Sequence, residues 1–198
     1  MEVKLTIQTE NMVVLDDVLT KEHFKAMWQY TETEQYAIPH VQNWIKVWRL
    51  GDNLPMGGPE YVRGPNNNEP FGNAMDLMVA YTMEIAKLYP KYMGEDYDEA
   101  VFRSYLYPRN TKLSWHDDSI YKSAMVFYTH RRWNNSWGGE LMVEETPESG
   151  VGIFVQAKPN RLVLTRAPIL HQINRVDADA GENVRSSIVA FFRKSQSA

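Results

Sequence analysis

The stretch LSWHDDSIY, residues 113–121, reads as a short strand that carries His116 and Asp118 two positions apart. Side chains on a strand alternate between faces, so residues i and i+2 share a side. On that reading Asp117 points away and Asp118 lies beside His116. A packed strand has no use for an imidazole and a carboxylate on one face, so the pair points to chemistry.

Working outward, residues 100–194 break into eight short candidate strands: VFRSYLY, KLSWHD, SAMVFYT, GELMVEE, GVGIFVQ, NRLVLTR, LHQIN and VRSSIVAFFRK. Turn-rich pieces such as RRWNNSWGG, TPESG, AKPN and DADAGEN separate them. Short strands at this spacing predict an all-β sandwich or barrel. Residues 1–95 have a different texture, expected to mix helices with loops. Thr20 is a plausible N-cap for TKEHFKAMWQYTE, in which Phe24, Met27, Trp28 and Tyr30 recur at helical spacing. Asn73 can cap a second helix, whose stripe is Leu77, Met78, Tyr81, Ile85 and Leu88 and whose stop is Pro90. Both stripes are expected to pack on a sheet. Between the helices, residues 50–72 are rich in Gly, Pro and Asn. A long irregular segment of this kind is either a disordered excursion or a functional lid. The expected organisation is one domain over 1–198, with residues 1–95 as support and 100–194 as a β core.

Composition narrows the function. A length of 198 residues fits one domain with a substantial core. The formal charge of -4, with no Lys/Arg run longer than two, argues against a nucleic-acid partner. The absence of cysteine excludes disulfides and thiolate metal sites. The opening MEVKLTIQTE has no apolar signal core, and no long uncharged run follows. The expectation is a cytoplasmic protein without a membrane span.

A His-x-Asp arises easily by chance in a chain with 5 His and 25 acidic residues, and His23, His40 and His130 read as surface or structural residues. His171, in PILHQIN, offers a second imidazole from another candidate strand. Two imidazoles and one carboxylate can occupy one face of an octahedral metal and leave three positions open, as in non-haem Fe(II) sites. Fourteen residues after His171 comes RSSIVAFF, where Arg185 and Ser187 again share a strand face. An inward guanidinium in an apolar barrel is costly unless it meets an anion, and its fork matches a carboxylate. A dicarboxylate whose 2-oxo acid end chelates iron would span the two groups.

At this point the chain resembles the Fe(II)/2-oxoglutarate-dependent dioxygenases, in their prolyl-4-hydroxylase-like branch. The matching pieces are LYPRN, WHDD, VFYTHRRWNNSWGGELMV, PNRLVLTRAPILHQI and RSSIVAFF, in order through residues 100–194. The family pattern is His-x-Asp, a distal His, then Arg-x-Ser, supplied here by His116, Asp118, His171, Arg185 and Ser187. The resemblance implies a mainly β fold with flanking helices around a double-stranded β-helix, the cupin-like jelly roll. It implies Fe(II) held by the triad, 2-oxoglutarate held at its far carboxylate by Arg185, O2 as oxidant and ascorbate as an accessory reductant. Tyr107, in a Tyr-Pro pair, and Tyr128 match tyrosines that lie against the cosubstrate, although both fit barrel packing as well. Asp118 occupies the position that related halogenases give up to chloride, which implies hydroxylation or another oxygenation rather than halogenation; the reaction the resemblance implies is hydroxylation of an unactivated C–H bond with succinate and CO2 as co-products. The substrate class stays open between a small molecule, an amino acid and a peptidyl residue. The gap from His171 to Arg185 carries the extra turn VDADAGEN, which makes Arg175 a competing cosubstrate ligand. Trp133, Trp137 and Arg166 either line the mouth or belong to a packed connection. The rival readings are a cupin-like metal-dependent dioxygenase or isomerase without 2-oxoglutarate, and a non-enzymatic β-sandwich binding module.

Overall fold

The computed structural model describes residues 3–38, 53–64, 67–94 and 97–195. Its central strand is β11 (Arg185–Arg193). Ile188, Ala190 and Phe192 on one face of β11 are fully buried, while Ser187, Val189 and Phe191 take the other. It pairs antiparallel with β4 (Glu99–Tyr107) on one side and β6 (Ser123–Tyr128) on the other. β9 (Leu162–Arg166) continues the sheet beyond β6. Opposite stand four short strands in the order β5 (Leu113–His116), β10 (His171–Ile173), β7 (Leu141–Val143) and β8 (Ile153–Val155). The eight strands β4–β11 therefore divide four and four between two facing sheets. That is the jelly roll, and its strands coincide with the eight expected segments.

The N-terminal half departs from the expectation of helices and loops. β1 (Lys4–Gln8) and β2 (Met12–Asp16) extend the larger sheet past β9, and β3 (Met56–Arg63) extends it past β4. All five residues of β2 are buried. Val13 and Leu15 face the helical layer, while Met12 and Val14 face the barrel interior. A strand covered on both faces shows no alternation, so its pattern is silent. β3 reads MGGPEYVR, a turn-like composition, but an edge strand tolerates proline and glycine. Its register with β4 shifts between Gly57 and Glu60. The expected irregular segment 50–72 is thus interrupted by a paired strand; its residues 50–52, 65 and 66 lie outside the described residues, as does His40.

Two helices cover the outer face of the larger sheet. α1 (Lys21–Thr33) is capped by Thr20, whose hydroxyl accepts from the His23 amide at 3.2 Å. α2 (Met75–Leu88) starts where the Asn73 side chain accepts from the Met75 amide at 2.8 Å and Asp76 accepts from Phe71 and Gly72. Its buried stripe is Met75, Met78, Thr82 and Ile85, rotated from the expected one, and Leu88 is 64% exposed. Met27, Met78 and Ile85 pack with Phe102, Phe127, Ile188 and Phe192. Each such side chain contributes roughly 1.5–3 kcal/mol by leaving water, and this layer holds the sheet's inner face in position. Among the described residues no helix is long and apolar enough to cross a membrane.

Candidate metal centre and cosubstrate pocket

His171 at the start of β10 is the antiparallel partner of His116 at the end of β5. Their rings lie 4.2 Å apart between centroids. Asp118 is not on the strand. β5 ends at His116, and Asp118 adopts a left-handed backbone with φ 51°. The convergence therefore comes from a turn and not, as expected, from strand alternation, which ends with the ladder at His116. Aspartate is among the few residues that accept this conformation at small cost. Asp118 Oδ1 lies 3.6 Å from His116 Nε2, and Oδ2 lies 3.4 Å from His171 Nε2. All three ligand atoms fall within 4.8 Å of one another.

Each imidazole is oriented from behind. His116 Nδ1 is 2.7 Å from the Ser114 carbonyl and His171 Nδ1 is 2.8 Å from that of Ile169. A carbonyl only accepts, so each Nδ1 carries a hydrogen and each Nε2 is turned toward Asp118, as a lone pair when the ring is neutral and as a donor to the carboxylate when it is charged. Burial disfavours a charged His171 ring, but the Asp118 hydrogen bond and charge, with the Ile169 carbonyl, outweigh it and raise its pKa. Divalent first-row ions sit about 2.0–2.2 Å from imidazole nitrogen and carboxylate oxygen, so donors on one octahedral face lie about 3 Å apart. The observed separations suit that ligand set after a small contraction.

The second group lies deeper. Arg185 is fully buried, and its Nε donates to the Gly139 carbonyl at 2.8 Å. The guanidinium carbon sits 4.9 Å from the ring centroids of both Tyr107 and Tyr128. Register explains the grouping: Tyr107 pairs with Arg185, and Ser187 is flanked by Tyr105 and Tyr128. Arg185 Nη1 and Nη2, the Tyr128 hydroxyl and the Ser187 hydroxyl are all buried without a hydrogen-bond partner among the described residues. Folded proteins satisfy such groups, and each one left bare costs about 1–3 kcal/mol, more for a charged group. The two orphaned nitrogens of the guanidinium, together with two orphaned hydroxyls, are the complement of a carboxylate. Burial first, with help from the Asp118 charge and against that of Arg185, pushes the Tyr107 phenol up to about 12. It remains a neutral donor. Behind Arg185, burial and the Arg185 charge lower His130 to about 4 against the pull of the Ala157 and Ser186 carbonyls, so its ring adds no second cation.

Between the sheets a cleft of about 370 Å³ is lined by the triad, Tyr105, Tyr107 and, toward the mouth, Glu60, Arg103, Tyr121 and Phe191. Tyr107 lines this cleft and also lies against the Arg185 guanidinium. The four mouth residues are additions to the sequence reading. For Arg103 the signal was present, because stepping back by twos from Tyr107 along β4 gives Tyr105 and then Arg103 on the inner face. Trp133, Trp137 and Arg166 do not line the cleft. Trp133 packs edge-on against Trp137 and beside His130, as a packed connection does, and Arg166 is exposed at the end of β9. Arg175 donates to the Asn110 carbonyl at 3.1 Å, whereas Arg185 is the guanidinium buried inside the barrel. A larger cleft of about 650 Å³, beside Trp28, Arg131 and Glu182, contains no triad residue.

Residues 102–193 match the family model described as the 2OG-Fe(II) oxygenase superfamily. The barrel belongs to that superfamily. Its fold is shared along nearly the whole chain with solved prolyl hydroxylases. A Pseudomonas putida prolyl-4-hydroxylase is similar at 15% identity and a TM-score of 0.64, covering 95% of both chains. A Trichoplax adhaerens prolyl hydroxylase, solved with a hypoxia inducible factor peptide fragment, is 13% identical with a TM-score of 0.65, covering 94% of this chain and 84% of that one. The viral collagen prolyl hydroxylase of Paramecium Bursaria Chlorella virus-1, solved with 2OG, is 11% identical with a TM-score of 0.57, covering 93% and 96%. No curated protein matches the sequence. The oxygenase family implies Fe(II) and 2-oxoglutarate, and the His116–Asp118–His171 cluster and the orphaned donors around Arg185 suit these two in kind.

Proposed function

We propose that this oxygenase hydroxylates an unactivated C–H bond of a small molecule, an amino acid or a peptidyl residue. The net change is R–H plus O2 plus 2-oxoglutarate giving R–OH, succinate and CO2, with one oxygen atom in the alcohol and the other in the new succinate carboxylate. His116, Asp118 and His171 hold Fe(II), which when bound supplies the activation of O2. Arg185, Ser187 and Tyr128 hold the far carboxylate of 2-oxoglutarate by charge-assisted and neutral hydrogen bonds. Tyr107, kept protonated, donates at the boundary between that pocket and the cleft. The apolar walls around Val126, Val189 and Phe191 exclude water from the reacting centre.

The observation that carries this reading is the bare, buried Arg185 fork facing two unpartnered hydroxyls behind a His-Asp-His cluster. A metal-dependent dioxygenase or isomerase that uses no 2-oxo acid has no need for it. Peptidyl substrates are included because the Trichoplax enzyme is described with a peptide. The test is succinate release from 2-oxoglutarate under air with added Fe(II), including the uncoupled reaction. Fe(II)-dependent succinate that disappears in Asp118→Ala supports the proposal. A protein that binds the metal yet never consumes 2-oxoglutarate, with any of the three substrate classes supplied, overturns it.

A further inference from the structure

We propose that Arg103 and Glu60 form a zwitterion receptor at the cleft mouth, and that the substrate is a free α-amino acid. This rests on the oxygenase reading above and narrows it. Arg103, Tyr105 and Tyr107 occupy successive inward positions on β4. Arg103 therefore stands four residues, about 13 Å of strand, from the Tyr107 end of the site. Among the described residues it is the one lysine or arginine lining the cleft, and Glu60 is the carboxylate there besides Asp118 and outside the triad.

Arg103 is held in place. Its Nε donates to the Gly58 carbonyl at 2.8 Å and its Nη1 to Glu60 Oε1 at 3.0 Å, while Nη2 makes no hydrogen bond among the described residues. A Cβ on Gly57 would fall 2.8 Å from Nε and Nη2, and one on Gly58 would fall 2.4 Å from Ser104 Oγ. Gly57 keeps open the space that this guanidinium fills, while Gly58 makes room for Ser104 on the side of Glu34 and Tyr36. The Glu60 side chain is 59% exposed, so the ion pair by itself is worth little and its carboxylate is open to an incoming ammonium.

The charges suit a zwitterion better than an anion. With Fe(II) and the 2-oxoglutarate dianion in place, Asp118, Arg185, Arg103 and Glu60 bring the formal total to zero, so a lone anion finds no surplus of positive charge. An α-amino acid presents its amino nitrogen and carboxyl carbon about 2.5 Å apart. That is the scale of the Arg103–Glu60 pair, so carboxylate and ammonium can exchange into it, fork to carboxylate and carboxylate to ammonium. Tyr121 and Phe191, stacked at 4.3 Å, provide the apolar wall for the side chain. A cleft of about 370 Å³ is near the low end for ligand sites, as a compact substrate requires. An internal peptide residue offers neither charge and would leave the receptor unused.

The test separates this inference from the one beneath it. Under argon, Fe(II) and 2-oxoglutarate added to the full chain should give the visible charge-transfer band of a metal-bound 2-oxo acid. If no band forms, the oxygenase reading fails and this inference with it. If it forms, each of the twenty free L-amino acids is titrated singly, reading the band and equilibrium dialysis. At least one should bind saturably, and its N-acetyl and carboxamide derivatives at least tenfold more weakly. Arg103→Gln should weaken that amino acid at least tenfold while leaving the 2-oxoglutarate titration unaltered, which also shows the variant is folded. Glu60→Gln should erase the discrimination against the N-acetyl form. With the band present, the proposal is overturned if no amino acid binds, if capped forms or peptides bind equally well, or if Arg103→Gln changes nothing.

Discussion

His116 and His171 face each other as antiparallel partners across the β5–β10 ladder, 55 positions apart in the chain, with the Asp118 carboxylate reaching both. Each ring is locked by one backbone carbonyl. A metal bound here ties two strands of the smaller sheet and the turn after β5 together, so binding stabilises the fold by mass action. At a hundred times its dissociation constant, Mn(II) should add about 2.7 kcal/mol and a clear rise in Tm. His171→Ala should abolish that rise and weaken metal uptake in dialysis by about a hundredfold. An equal Tm response in His171→Ala and the parent would remove His171 from the ligand set.

Arg185 gives the second prediction. Its two free Nη donors cost stability until a carboxylate meets them. Arg185→Met keeps the length of the side chain and removes the charge. The variant should fold about as stably as the parent without cosubstrate, and 2-oxoglutarate should cease to raise its Tm. A lost charge-assisted contact of roughly 1.5–3 kcal/mol corresponds to a tenfold or greater rise in the 2-oxoglutarate needed for half-maximal succinate release. An unchanged cosubstrate titration would assign the pocket to something else.

How much of this was legible in the sequence differs by element. The eight barrel strands were visible as short runs bounded by turn residues, β9 among them although Leu162–Thr165 are buried on both faces. β2 was not, since MVVLD is buried throughout and lacks alternation, and it runs on into DVL without a Gly, Pro or Asn turn to close it. Nor was β3, whose Gly-Gly-Pro is turn chemistry that an edge strand tolerates. The site residues were legible as types and spacing, but the reason for the Asp118 position was not. It depends on where β5 stops, and strand ends are set by partners from distant parts of the chain. Arg103 was overlooked because an arginine on a strand of alternating character passes for a solvent-facing residue. It becomes a mouth residue only when Tyr107 fixes which face is inside.

The third prediction concerns pH. Asp16 at the end of β2 is buried, accepting from Arg161 Nε at 2.7 Å and Nη2 at 3.0 Å, from Lys158 at 3.0 Å and from Thr6 at 2.8 Å. Burial alone would raise its pKa, but the Arg161, Lys158 and Thr6 bonds outweigh burial and hold it far below the usual carboxylate range. A depressed folded-state pKa means stability that is fully present above the unfolded value of about 3.9 and lost as pH falls below it. Asp16→Asn should therefore cost about 3 kcal/mol or more in urea denaturation at pH 7, as expected for breaking a buried pair. That difference should shrink as the pH is lowered through 4. A difference that stays constant across this range would mean the ion pair is not the source.

The last prediction tests whether backbone geometry serves the cosubstrate pocket. Gly139 has φ 73°, in the left-handed region, and its carbonyl takes the Arg185 Nε. A Cβ there would fall 2.9 Å from Arg185 Cδ and 3.3 Å from Val176 Cγ2. Gly139→Ala therefore combines backbone strain of about 1–3 kcal/mol with displacement of the guanidinium. Thermal denaturation should show the first effect and the 2-oxoglutarate titration the second, with affinity down severalfold or more. The two contributions separate in a double-mutant cycle with Arg185→Met. If Gly139 acts through the guanidinium, the alanine should keep its stability cost in the Arg185→Met background but add little to the loss of cosubstrate affinity. Fully additive losses would show that Gly139 influences the pocket by a route that does not pass through Arg185.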